Sequence, residues 1–314
     1  MTAPRPIVWT WADGAREMFE AIITVASLRG TSNDQPIHVA FKDTTPTRPD
    51  LKEDVRSLLR DLGAETPSFE GVGHRRTDLQ THVLSALDGM GDASFYALVP
   101  GAVFHEEPRA PKSYGASVSI RNPWPECHLY GDPRGVIWQN LADDLGFDVS
   151  QIGQPHLHPA SLHRWPGFDG RIIWGPMGRQ FSQVFDRISD RMHRAPPEKY
   201  QTLDLEDHVV EAALPFVFED LSASQVQPSQ RADITPAFPL VFLYCSAPDP
   251  AIDALESAVS ANRIKRVLKG YEPARKLIYQ GKGRLLRERF YGPPPQNMRR
   301  LVQRIERNTP WWAS

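Results

Sequence analysis

Short runs of β-forming apolar residues alternate with longer segments of helical period, and this alternation restricts what the chain can fold into more than any other feature. The run Pro6-Ile7-Val8-Trp9-Thr10-Trp11 is followed by Ala12-Asp13-Gly14 and then by a helix-period stretch from Ala15 to Leu28. A second run, Ile37–Phe41, ends in Lys42-Asp43, and an amphipathic segment from Asp50 to Leu62 follows, closed by Gly63. Leu79–Leu87 reads as a helix and Ser94–Phe104 as a strand broken by Pro100-Gly101. Further on, Trp165–Gly175 is a turn feeding a strand, Arg179–Met192 a helix, and Leu205–Leu214 another. Ser222–Pro236 is a polar linker and Leu240–Cys245 a strand. Strand and helix in repeated succession predict an α/β fold, a mostly parallel or mixed sheet flanked by helices. Residues 105–164 are rich in Pro, Gly and His around one helical patch, Gly135–Leu145, and connections of this length are more often functional than idle.

A chain of 314 residues, 40% hydrophobic and 24% charged, can bury an enzyme-sized core. No stretch approaches the ~20 apolar residues of a membrane span, and Met1–Pro6 lacks the pattern of a signal peptide. Cys127 and Cys245 are too few for a disulfide framework and lack zinc spacing, so a cytoplasmic location is expected. The net charge of −2 hides an asymmetry: residues 262–314 hold 14 Lys/Arg against Glu272, Glu288 and Glu306. That surplus predicts an anionic partner for the C-terminal end, while nothing implies a protein partner.

Thr10-Trp11-Ala12-Asp13 closes the first strand, Phe168-Asp169-Gly170-Arg171-Ile172-Ile173-Trp174 opens a later one, and Asp207-His208 precedes the apolar run Val209–Leu214. In order and spacing, over roughly residues 6–245, these segments resemble the GT-A glycosyltransferases, especially family eight and its glycogenin-like relatives. In those enzymes the first strand's polar loop meets a nucleobase, a Phe-Asn-x-Gly turn lies under the sugar, and Asp-Gln precedes a helix; His208 takes the place of that Gln. The resemblance implies a GT-A-like catalytic domain over residues 1–250, using a nucleotide-sugar donor, first of all a UDP-sugar. Residues 251–314 are expected to be a basic helical appendage that binds the acceptor. Two departures stand out. The metal-binding Asp-x-Asp should fall near Val99-Pro100-Gly101, where there is no acid, and the C-terminal His-x-x-Gly-x-x-Lys pattern is absent. Either His105, Glu106 or Glu107 holds Mg²⁺ or Mn²⁺, or basic side chains offset the diphosphate without a metal.

Sugar transfer needs groups on the sugar face, a base for the acceptor, and charge to hold the departing diphosphate. Asp169 and Asp207 are the candidates for the sugar and His208 for the base. Each has a structural counterpart: Asp favours glycine-flanked turns and helix N-termini, and a lone His is commonly a bystander. Thr10, Trp11, Asp13, Lys42 and Asp43 close strands, on the edge where open α/β sheets bind ligands. Arg75 and Arg76, after His74, and Gly170 complete the donor set. His156, His158 and His163 resemble a zinc trio that no acid or cysteine completes. In the C-terminal region Arg284, Arg287, Arg289, Arg299 and Arg300 are interleaved with Phe290, Tyr291 and other aromatics, a composition that suits a phosphate backbone and base stacking as well as a solvated helix face. With DNA as the acceptor, the chain would resemble phage-type DNA glycosyltransferases that place sugars on hydroxymethylated pyrimidines. The competing readings are a non-catalytic nucleic-acid-binding protein with a degenerate GT-A core, and a transferase acting on a glycan or lipid.

Overall fold

A computed structural model describes residues 5–13, 15–32, 34–43, 49–69, 76–104, 106–118, 136–148, 168–194, 205–221 and 234–236. The elements are β1 (Ile7–Trp11), α1 (Ala15–Thr31), β2 (Ile37–Lys42), α2 (Pro49–Asp61), β3 (Ser68–Phe69), α3 (Arg76–Ala86), a 3₁₀ turn (Leu87–Met90), β4 (Phe95–Leu98), β5 (Ala102–Phe104), β6 (Gly115–Val118), α4 (Val136–Leu145), β7 (Phe168–Gly175), α5 (Gly178–Arg194), α6 (Leu205–Asp220) and β8 (Ile234–Pro236). A six-stranded sheet has the order β3-β2-β1-β4-β7-β6, and β5 pairs with β8 in a separate ribbon. β1 with β4 and β2 with β3 are parallel, whereas β7 is antiparallel to both β4 and β6. The expected mixed α/β sheet flanked by helices is therefore present. Among the described residues no helix is long and apolar enough to cross a membrane.

The chain divides into two compact units: Met1–Trp9, Val72–Leu98 and Arg109–Gln230 in one, Thr10–Gly71, Val99–Pro108 and Arg231–Ser314 in the other. The boundary expected near residue 250, the Leu240–Cys245 strand and the basic appendage lie outside the described residues.

In the first unit the core is aromatic. Phe181 of α5 lies 5.2 Å from Phe95 and 6.2 Å from both Phe185 and Phe218, centroid to centroid. Phe181, Phe185, Ile188 and Met192 recur at helical spacing and are all buried, so α5 presents one apolar stripe. α6 differs: from Ala212 to Phe218 every residue is buried, the mark of a helix enclosed on all sides. It runs to Asp220 rather than ending at Leu214, because this enclosure outweighs the backbone bond that Pro215 removes. Gly115 and Gly175 make room for two rings: a Cβ at Gly115 would run into Trp174, and one at Gly175 into Tyr114.

In the second unit, α2 ends in a Schellman motif: Ala64 N–H donates to Leu59 C=O, Gly63 N–H to Arg60 C=O, and Gly63 takes φ 75°. The Arg29 guanidinium from α1 donates to the Leu62 and Gly63 carbonyls at 2.6 and 2.8 Å, tying the two helices together. The expected Ser94–Phe104 strand is two strands in different sheets, and the Pro100-Gly101 break, with Gly101 at φ 92°, separates them.

Candidate functional site

At the strand ends of the second unit, Ala12 N–H donates to the Ala40 carbonyl and Lys42 is in register with Phe69, so the carboxyl ends of β1, β2 and β3 lie side by side. Trp11, Asp13, Lys42 and Asp43 sit at this edge, as their places in the sequence imply. The structure adds Lys52, Glu53 and Arg56 from α2. Lys52 is buried and its ammonium donates to the Lys42 carbonyl. Burial holds its pKa below the ordinary lysine range; Arg56 pushes the same way, while Asp43, Asp13 and Glu53 oppose. Arg56 is 3.7 Å from the Asp43 carboxylate and 3.4 Å from that of Glu53, donates to the Ser68 hydroxyl, and lies over the Phe41 ring at 4.8 Å.

Lys52 and Arg56 thus meet the carboxylates of Asp13, Asp43 and Glu53. The Thr10 hydroxyl, the Trp11 indole N–H and the Arg56 Nε–H are buried without a hydrogen-bond partner. Buried donors are ordinarily paired. A site with both signs of charge and spare donors suits a ligand carrying hydroxyls and ring heteroatoms. Lys52 and Arg56 were missed because they stand in a charged helix; the one signal was register, since Lys52 precedes Val55 and Leu59 on the buried face of α2.

The Val99–Gly101 turn between β4 and β5 offers no carboxylate and is buried throughout. Glu106 and Glu107, the alternative metal holders, are exposed, and Glu107 accepts a hydrogen bond from the Ser32 hydroxyl at 3.1 Å. His105 lies outside the described residues.

In the first unit, Gly170 interrupts β7 with φ 59°. Val118 of β6 is opposite Phe168 and Ala116 opposite Ile173, so β7 carries extra residues at this point and bulges. The Gln80 side-chain amide of α3 donates to the Gly170 carbonyl. A Cβ at Gly170 would lie 3.2 Å from Val210 and 3.7 Å from Leu214 of α6. Asp169 belongs to this bulge, and Asp207 and His208 are the third and fourth residues of the helix it touches. The bulge that holds Asp169 thus packs on the helix that carries Asp207 and His208, through Gly170 against Val210 and Leu214. Arg76 opens α3. Arg75, the three histidines 156, 158 and 163, and Arg284, Arg287, Arg289, Arg299 and Arg300 lie outside the described residues.

An α/β sheet with a polar cluster at its strand ends and a bulged strand held by a helix is compatible with a transferase site, and the chain is of the glycosyltransferase class. It belongs to the Rhodobacterales glycosyltransferase domain family, whose model matches residues 9–222. No curated protein matches it. Among solved structures it is similar to the glycosyltransferase GlyE of Streptococcus pneumoniae TIGR4, at 12% identity and a TM-score of 0.36, over 69% of this chain and 44% of that one. It thus spans less than half of GlyE. It is also similar to the galactosyltransferase LgtC, solved with donor and acceptor sugar analogues, at 11% identity and a TM-score of 0.41, over 81% of this chain and 95% of that one. Mouse xyloside xylosyltransferase 1 is similar at 9% identity and a TM-score of 0.35, over 70% and 82% of the two chains. The family match, not these distant likenesses, carries the assignment.

Proposed function

We propose that this protein is a cytoplasmic transferase that binds a nucleoside diphosphate sugar, in the first instance a UDP-sugar, and moves the sugar to an acceptor hydroxyl. The observation that carries this reading is the polar cluster of Asp13, Lys42, Asp43, Lys52 and Arg56 at the strand ends, within the span that matches the family. In the transfer, the acceptor oxygen bonds to the anomeric carbon as the carbon–oxygen bond to the diphosphate breaks. The acceptor proton passes to a base, and the nucleoside diphosphate leaves with the bonding electrons. The strand-end cluster takes the nucleoside, Asp169 and Asp207 attend the sugar, and His208 receives the proton. Arg75, Arg76 and Gly170 complete the donor contacts. Thermal-shift measurement against UDP, GDP and their sugars tests the donor, since a ligand at 100 times its Kd stabilises by about 2.7 kcal/mol. No shift with any of them favours a binding protein without transferase activity.

For the acceptor, the supporting observation is charge. The surplus of 11 positive charges in residues 262–314 suits a phosphate backbone, with a hydroxymethylpyrimidine in DNA as the hydroxyl that receives the sugar. Replacing Arg284, Arg287 and Arg289 with Ala should weaken DNA binding and flatten its salt dependence, each lost phosphate contact removing about 0.9 from the log–log slope. DNA binding equal to that of the parent, or none in the parent, directs the search to glycan and lipid acceptors.

A further inference from the structure

The resemblance to GT-A enzymes implies a divalent cation held by paired carboxylates just after the central strand, and the residues found there do not fit one. We infer that this chain binds its nucleoside diphosphate donor without a divalent cation at the β4–β5 turn, an inference that rests on the donor reading above.

The donor set is the first ground. Mg²⁺ and Mn²⁺ are bound through several oxygen ligands, carboxylates foremost. The turn consists of Val99, Pro100 and Gly101, all buried and none with a side-chain oxygen.

The second ground is the attachment of the turn. Gly101 N–H donates to the Thr24 hydroxyl at 3.0 Å and Phe104 N–H to the Ser27 hydroxyl at 3.1 Å. Those hydroxyls donate in turn to the Glu20 and Thr24 carbonyls of α1. Both hydroxyls are therefore engaged within the protein as donor and as acceptor.

Glu107 is carried away from the carboxyl ends of the strands. α1 begins where β1 ends and returns to the start of β2, so its C-terminal end lies at the amino edge of the strands. The segment beginning at the turn runs alongside it: Gly101 meets Thr24, Phe104 meets Ser27, and Glu107 meets Ser32. From Thr24 to Ser32 is about 12 Å of helix. Glu107 accordingly stands at the edge opposite Trp11, Asp13, Lys42 and Asp43. Among the described residues no group of three or more His, Cys, Asp or Glu could hold a metal ion. The diphosphate charge then falls to Lys and Arg side chains and backbone N–H groups.

The test is calorimetric titration of the full chain with UDP and with GDP, once in excess EDTA and once in MnCl₂. The expected result is one Kd, the same in both within about threefold, which is about 0.65 kcal/mol. A larger gain in Mn²⁺ overturns the inference and leaves the donor reading standing. Absence of binding by either nucleotide in both conditions overturns the two together. Electron paramagnetic resonance supplies a readout independent of nucleotide affinity. With UDP saturating, the protein should remove no more free Mn²⁺ signal than UDP alone, and additional tightly bound Mn²⁺ overturns the inference.

Discussion

The aromatic slab of the first unit and the charged strand ends of the second are built on opposite terms. Around Phe181, the rings of Phe95, Tyr114, Phe185 and Phe218 meet at 5.2 to 6.2 Å, and the one polar group among them is satisfied: the Tyr114 hydroxyl reaches Gln180 at 3.0 Å and the Met177 carbonyl at 3.2 Å. Burial pushes the Tyr114 pKa up to about 12, so the ring carries no charge. At the strand ends of β1 and β2, buried Lys52 lies among Arg56 and the carboxylates of Asp13, Asp43 and Glu53, and the buried Trp11 indole N–H and Thr10 hydroxyl have no partner. The first region is specified by shape and transfer from water; the second gathers charge of both signs around a buried lysine. Such local inconsistency is where function is expected.

Substitutions can break or sharpen that contrast. Phe181→Ala should have the largest effect, about 3–5 kcal/mol of destabilisation, because the rings around it cannot all collapse into the cavity. Calorimetry should record a Tm lower by roughly 10 °C. A loss under about 1 kcal/mol would mean that the slab is not one cooperative core. Lys52→Met should do the reverse, weakening UDP binding by about tenfold, which is about 1.4 kcal/mol, while Tm moves little. A large fall in Tm with unchanged affinity would make Lys52 a core residue and erase the distinction.

The smallest effect is expected at Asp186, half-buried beside the slab, where the Ser85 hydroxyl donates to it at 2.9 Å. Burial raises its pKa, with Asp190 and Asp88 adding to the shift and Ser85 opposing it. The native state therefore holds this proton more tightly than the unfolded chain. Its stabilising contribution is complete below the ordinary value of 3.8 and is lost as pH rises through the higher native value. Asp186→Asn should raise Tm slightly at pH 7, and the gain should vanish in acid. A Tm difference independent of pH would show that the carboxyl is not strained by its surroundings.

The β-α-β-α opening of the chain was legible because its apolar runs are short, its helices have clear period, and Gly63 marks a stop that the left-handed turn requires. β6 was not: Gly115-Ala116-Ser117-Val118 has little strand character alone and pairs because Gly115 lets the Trp174 ring lie against it. The sequence places the end of this helical segment at Leu214, yet burial over residues 212–218 carries α6 past Pro215 to Asp220. Within the candidate site, Asp13, Lys42 and Asp43 were visible as strand terminators. Lys52 and Arg56 were not, since only the pairing of β2 with β3 and the return of α2 bring them there. Gly170 looked like part of a turn before a strand; its positive φ within β7, and the contact with α6, are long-range facts that no local window contains.

The turn pinned by Thr24 and Ser27 also bears on how such a chain can change through descent. At φ 92° Gly101 disfavours any side chain bearing a carboxylate, and the adjoining Pro100 and Val99 are enclosed. A single substitution that puts an acid into this turn meets either the left-handed backbone of Gly101 or an enclosed position. The turn, its hydroxyl anchors on α1 and the start of β5 would have to be remade together, with every intermediate carrying strain or a buried unpaired acid. A change in the groups that meet the donor is therefore easier to make along the strand ends than in this turn.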